Sequence, residues 1–241
     1  MAAPLPVGKI LLGAFLIPWW NRKAFARALA IPMMLIVALT LSWYYAGEHL
    51  PSWANWAACL GYAAFFALFA VTCHRLVLLD PARVARRAEP RWTWRESLFL
   101  WWLIGAWLTY VVVSMAGATL LGSVLANATR IDTQIGMRWV IEIAGIPAIY
   151  AVARMSPAFP AVAIDHRPDL KWALAITRGN GWRLFVVVGV LPWALSSLVG
   201  LAYRSNPSPL EMLALAILGT ALFAVEIAAL SISYRELTRE N

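Results

Sequence analysis

Six apolar stretches, each long enough to cross a bilayer as a helix, constrain this chain more than anything else in it. A helix spanning about 30 Å of hydrocarbon needs roughly 20 mostly apolar residues. Runs of that kind lie at about 28–45, 53–74, 97–126, 139–156, 184–203 and 209–233. The second, third and sixth are apolar on every side, whereas a helix on the surface of a soluble domain keeps one polar face. Composition agrees: 62% of the 241 residues are hydrophobic and 13% are charged, against about 25% charged in soluble domains. These figures exclude a soluble enzyme, a disordered tail and a disulfide scaffold. The expected fold is all-α: a polytopic membrane protein forming one integral membrane domain over 1–241, with six transmembrane helices.

Orientation follows from the short links, because Lys and Arg are retained on the cytoplasmic side. The segment up to Arg27, the links Arg75–Arg95 and Arg154–Arg183, and the C-terminal tail hold 17 of the 20 basic residues. The opposite links hold only Arg130, Arg138 and Arg204. This predicts cytoplasmic N- and C-termini and a multi-pass protein of a bacterial inner membrane. Seven carboxylates share the basic face, Glu48, Asp132 and Glu211 lie opposite, and the remaining two, Glu142 and Glu226, fall inside predicted spans. No folded basic domain presents the positive charge to nucleic acid. The expected partners are anionic lipid headgroups on the cytoplasmic face, each nearby basic residue being worth about 1 kcal/mol, and another membrane protein.

Residues 7–20 are apolar but too short to span, and their basic residues follow the apolar run, unlike those of a signal peptide. They read as a helix lying in the interface, with Trp19 and Trp20 at headgroup depth, or as a re-entrant segment. Three hairpins then follow, closed by the links Ala46–Ser52, Asn127–Arg138 and Arg204–Ser208. The fourth span is irregular. Pro147 interrupts it, and Pro157 and Pro160 interrupt a second apolar stretch reaching Ile164; broken helices at membrane depth require cover by protein or a wet cavity. Asp165-His166-Arg167-Pro168-Asp169 then reads as the start of an amphipathic helix that runs through Leu170, Trp172, Leu174 and Ile176 to Arg178 and stops at Gly179-Asn180-Gly181.

Chemistry is sparse. Cys59 and Cys73 are 14 residues apart on one helix, about 21 Å, and cannot pair. His49, His74 and His166 lack the spacing of a metal site. No nucleophile elbow, zinc-protease motif, P-loop or dinucleotide fingerprint occurs. The expectation is therefore no catalytic residue, no metal and no cofactor. Intramembrane charges are the remaining pointers, since each is costly unless paired or hydrated. Glu226 shares a helix face with Gly219, Leu222 and Ser233, and Arg154 is placed to reach it, giving a candidate pair. Glu142 and Arg138, four residues apart, give a second. On the basic face Arg167, Lys171, Arg178 and Arg183 alternate with Trp172 and Trp182, a combination suited to a lipid headgroup. Small residues at four-residue spacing, Ser114, Ala118 and Gly122 in the third span and Ala216, Thr220, Ala224 and Ala228 in the sixth, mark faces where backbones approach closely. Glu226 projects roughly 160° away from the second stripe, so the sixth helix is expected to be packed on two sides and central.

The run from Arg154-Met155-Ser156-Pro157-Ala158-Phe159-Pro160 to Asp165, followed by Lys171-Trp172-Ala173-Leu174 through Arg178-Gly179-Asn180-Gly181-Trp182-Arg183, carries a resemblance. It resembles uncharacterised proteobacterial inner-membrane proteins related to the membrane domain fused to some bacterial glycerophosphodiester phosphodiesterases. Trp19-Trp20-Asn21-Arg22 and His74-Arg75-Leu76-Val77-Leu78-Leu79 are similar as well. The resemblance implies a six-span protein and brings no catalytic residues; the phosphodiesterase barrel itself is missing. The function expected from all of this is non-enzymatic, an accessory or scaffolding role through lipid or membrane-protein contacts. The alternative is a carrier or permease for a small or lipid-like solute using Glu226, Arg154 and the broken fourth span, and a lipid-modifying enzyme comes third.

Overall fold

The computed structural model describes residues 4–46, 49–87, 91–128, 133–202 and 207–239, with backbone alone at 124–128, 133–141 and 202. Of the expected links, residues 129–132 and 204–206 lie outside the described residues, as does the Arg138 side chain, and the link Asn127–Arg138 is shortened because α5 runs to Ala128 and α6 begins at Thr133. Among the described residues the regular structure is entirely helical: α1 Val7–Trp20, α2 Arg22–Ala46, α3 Ser52–Leu78, α4 Pro81–Arg86, α5 Trp94–Ala128, α6 Thr133–Met155, α7 Ala158–Ala163, α8 Leu170–Ile176, α9 Gly181–Phe185, a π-helical turn Val186–Val190, α10 Leu191–Ala202 and α11 Pro209–Thr238. Five segments are long and apolar enough to cross a membrane: Arg22–Ala46, Ser52–Leu78, Trp94–Ser123, Gly181–Leu201 and Pro209–Thr238. The chain is an all-α, multi-pass membrane protein. α6 packs lengthwise against α5 and closes a hairpin with it.

The helices run past the apolar windows that define them in sequence. α11 continues from its apolar run to Thr238, because Arg235 and Glu236 are good helix formers and the polar surface beyond the hydrocarbon accepts them. Its start is fixed by a capping box in which Glu211 N donates to Ser208 Oγ and Ser208 N donates to the Glu211 carboxylate. The π turn has a local cause. Pro192 has no N–H for the carbonyl four residues earlier and its ring crowds that carbonyl, so the turn before it widens.

Packing is uneven along the bundle. The ends bearing the basic links, hereafter the basic end, hold most of the core: Phe69, Val71, Leu76, Phe99, Leu184 and Ile232 are buried there. At the distal end the large side chains turn outward, with Trp53 73% and Leu210 76% exposed, as expected of helices facing lipid. α11 is the central element and touches α1, α2, α3, α7, α10 and the π turn. Ala216, Thr220, Ala224 and Ala228 are all buried on it. Polar bonds stitch it to α3: Cys73 Sγ donates to the Ala224 carbonyl at 3.7 Å, and His74 Nδ1 lies 2.7 Å from Ser231 Oγ. The Ser231 hydroxyl donates to the Ile227 carbonyl, so its oxygen accepts from His74 Nδ1–H. That bond fixes the tautomer of a histidine that is 1% exposed.

The proline-broken stretch is covered by protein. α7 is buried along its whole length and contacts α3, α5 and α11, which shields the backbone groups freed by Pro157 and Pro160. α1 is held against the body at the basic end. Ile10 and Ala14 are buried, the helix packs on α11, and Leu5 N donates to Asn180 Oδ1 at 2.9 Å. Trp19 and Trp20 remain exposed, with the Arg22 guanidinium 5.6 Å from the Trp19 ring.

Candidate functional site

Three sets of charged side chains stand out: a cluster around Asp165, Arg154 with Glu226, and the α8–α9 surface. The first set was not foreseen from sequence as a unit. Two residues beyond the end of α7 stands Asp165, whose φ of 69° puts a non-glycine residue in the left-handed region, which aspartate tolerates better than most. That turn aims the carboxylate back at α3 and α5. Arg95 grips it in two-pronged fashion, Nε to Oδ1 at 2.5 Å and Nη2 to Oδ2 at 2.9 Å. Arg75 Nη1 donates to the Ala163 carbonyl at 2.8 Å and lies 3.7 Å from Asp165 Oδ2. The hydrogen bonds from Arg95, reinforced by the charges of Arg95 and Arg75, hold the Asp165 carboxyl below its ordinary range against a smaller opposing effect of burial. The latch is therefore ionised throughout the neutral range. The sequence reading places Asp165 at the start of the next helix; in the structure Asp169 caps it instead, accepting from Trp172 N at 2.6 Å, and α8 ends at Ile176, short of Arg178. Asp165 is drawn away because two guanidiniums outcompete a backbone N–H for a carboxylate.

Arg154 and Glu226, paired in the sequence reading, have different surroundings. Arg154 lies at the end of α6 and donates from Nε to Thr177 Oγ1 at 2.6 Å and from Nη2 to the Leu174 carbonyl at 2.5 Å. A guanidinium there satisfies the end of α8 and complements its dipole. Glu226 is half-buried in a cleft of 220 Å³ between α10 and α11, lined by Leu195, Ser196, Val199, Gly219, Leu222 and Phe223. It has no ion-pair or hydrogen-bond partner among the described residues. Gly219 and Leu222 line the cleft with it; Ser233, two turns further along the helix, is buried and donates to the Ala229 carbonyl. Glu142 is exposed on α6, and its expected partner Arg138 lies outside the described side chains.

The third set is the α8–α9 surface. Arg167, Lys171, Arg178, Trp182 and Arg183 are exposed, while Trp172 is half-buried between His166, at 4.9 Å between ring centres, and Tyr234, at 6.3 Å. Trp182 stands beside Tyr150 at 4.9 Å. The backbone beneath is pinned: Asn180 Oδ1 accepts from Leu5 N and from Arg183 Nη1. No group of three metal-ligating side chains occurs among the described residues. No family model, curated protein or solved structure matches this chain, and nothing in these comparisons links it to the membrane domain of glycerophosphodiester phosphodiesterases.

Proposed function

We propose that the chain is a six-span protein of a bacterial cytoplasmic membrane, α6 supplying the sixth crossing and both termini lying in the cytoplasm, and that it performs no reaction. It acts as an accessory or scaffolding component that holds anionic lipid or a neighbouring membrane protein against its basic end. The observation that carries this reading is the α8–α9 surface. Four cationic side chains and Trp182 stand outward on a backbone pinned by Asp169, Asn180 and Arg154, so little order remains to be imposed when an anionic surface is met. In discs of mixed neutral and anionic phospholipid, native mass spectrometry is expected to find anionic lipid enriched on the protein. Each basic residue is worth about 1 kcal/mol near such a surface, so neutralising Arg178 and Arg183 together should weaken retention roughly 30-fold. Retained lipid that mirrors the disc composition in both proteins would overturn the reading.

A second reading, a carrier for a small or lipid-like solute, rests on Glu226, an unpartnered carboxylate facing a cleft between two spans. Under the leading reading, Glu226→Gln leaves folded yield and cellular phenotype unchanged. An intact fold with a lost phenotype would put the carrier first.

A further inference from the structure

We propose that the cleft between the basic end of α3, α4 and the start of α5 is a binding site for a ligand carrying two phosphate groups. The cleft measures 730 Å³, and six guanidiniums line it: Arg75, Arg83, Arg86, Arg87, Arg91 and Arg95. Among the described residues two carboxylates share the lining, and both are committed to backbone structure. Asp80 caps α4, accepting from Ala82 N at 2.9 Å, and meets Arg83 Nε at 3.3 Å. Glu96 is buried and accepts from Thr93 N and Thr93 Oγ1 at 2.7 and 2.5 Å. Among the described residues the lining thus carries a net positive charge, gathered in a concave space.

The guanidiniums are not equally mobile, and that favours binding. Arg75 and Arg95 are oriented by Asp165 and the Ala163 carbonyl from behind, so the wall of the cleft is fixed before a ligand arrives. Arg86, Arg87 and Arg91 are exposed at the rim. Planar forks match phosphate oxygens in pairs, and six of them, set against Asp80, Glu96 and Asp165, leave three positive charges among the described residues, more than a single monovalent headgroup neutralises. The floor is apolar: Val71, Leu79 and Val84 line it, and Val71 lies two turns inside α3. A phosphate ligand that continues into an acyl chain is accommodated as well as a soluble one. The shared chemistry is therefore a diphosphate, from a two-phosphate lipid headgroup or from solution. The site has no residue in common with the α8–α9 surface, so the two readings fail separately.

The test uses the full chain in discs of neutral phosphatidylcholine. Inorganic pyrophosphate is titrated in by calorimetry, and in a parallel set a small fraction of diphosphatidylglycerol is included and retention is read by native mass spectrometry. Saturable one-to-one binding of either probe is expected. Arg86→Gln with Arg87→Gln, both at the exposed rim, should weaken binding of either probe at least tenfold for each charge-assisted contact removed, whereas Arg178→Gln with Arg183→Gln leaves pyrophosphate binding unchanged. Pyrophosphate binding assigns a soluble ligand, and retention of diphosphatidylglycerol alone assigns a lipid. Absence of saturable binding by either probe, or binding indifferent to the rim arginines, overturns the proposal.

Discussion

Gly181→Ala is expected to cost about 1–3 kcal/mol, the range for forcing extra volume into a packed site, and to lower the thermal unfolding midpoint of the purified protein in detergent. A Cβ at this position would lie 2.5 Å from the Tyr150 hydroxyl and 2.9 Å from Arg154 Cδ. Neither neighbour can retreat cheaply. The Tyr150 ring is packed against Trp182 at 4.9 Å, and Arg154 is fixed at its far end by Thr177 and the Leu174 carbonyl. Gly179 supplies the control. It needs glycine for its φ of 84° but has open space around it, so Gly179→Asn, which the left-handed region tolerates, should cost much less. Equal losses at the two positions would mean that the turn conformation, and not the contact with α6, is what glycine serves here.

The second large effect is expected on α11. Ala228 is fully buried in the central helix, where α1 and α3 pack. Leucine there adds three carbons to a close-packed interface whose stability in lipid depends on fit, because lipid tails are as apolar as the side chain itself. Ala228→Leu should destabilise by about 1–3 kcal/mol, while Ala221→Leu, on an exposed face of the same helix, should stay within about 0.5 kcal/mol of the parent. The pair can be compared by denaturation of the two purified variants in one detergent. A neutral Ala228→Leu would remove α11 from the centre of the bundle.

That face of α11 was legible in the sequence because small residues at four-residue spacing are an unambiguous helical stripe, and all four are buried. The stripe in the third span was less informative. Ser114, Ala118 and Gly122 are only half-buried, and the close approach falls at Gly117, where a Cβ would lie 3.2 Å from Ala144 Cβ. Spacing identifies a face that can be approached, but not the rotation at which a particular neighbour arrives. α1 was equally legible, its bounds 7–20 being set by the proline before it and Asn21 after it. The latch of Asp165 with Arg75 and Arg95 was not. Its members are separated by 70 and 88–90 positions in the chain and come together only because α7 folds under α3 and α5. Arg154 was misassigned for a related reason. Arg154 and Glu226 lie 72 positions apart in the chain, and nothing in the sequence reveals that Thr177 and the Leu174 carbonyl at the end of α8 come within hydrogen-bond reach of the guanidinium.

The bond from Leu5 to Asn180 has a consequence for synthesis. Synthesis from the N-terminal side produces α1 well before Asn180 and the α11 face that receive it. Until they emerge α1 lacks its principal packing partner. An apolar helix with two exposed tryptophans at its end can rest in a lipid interface for that time, and its docking then works as a closing clasp, recording that α11 has arrived.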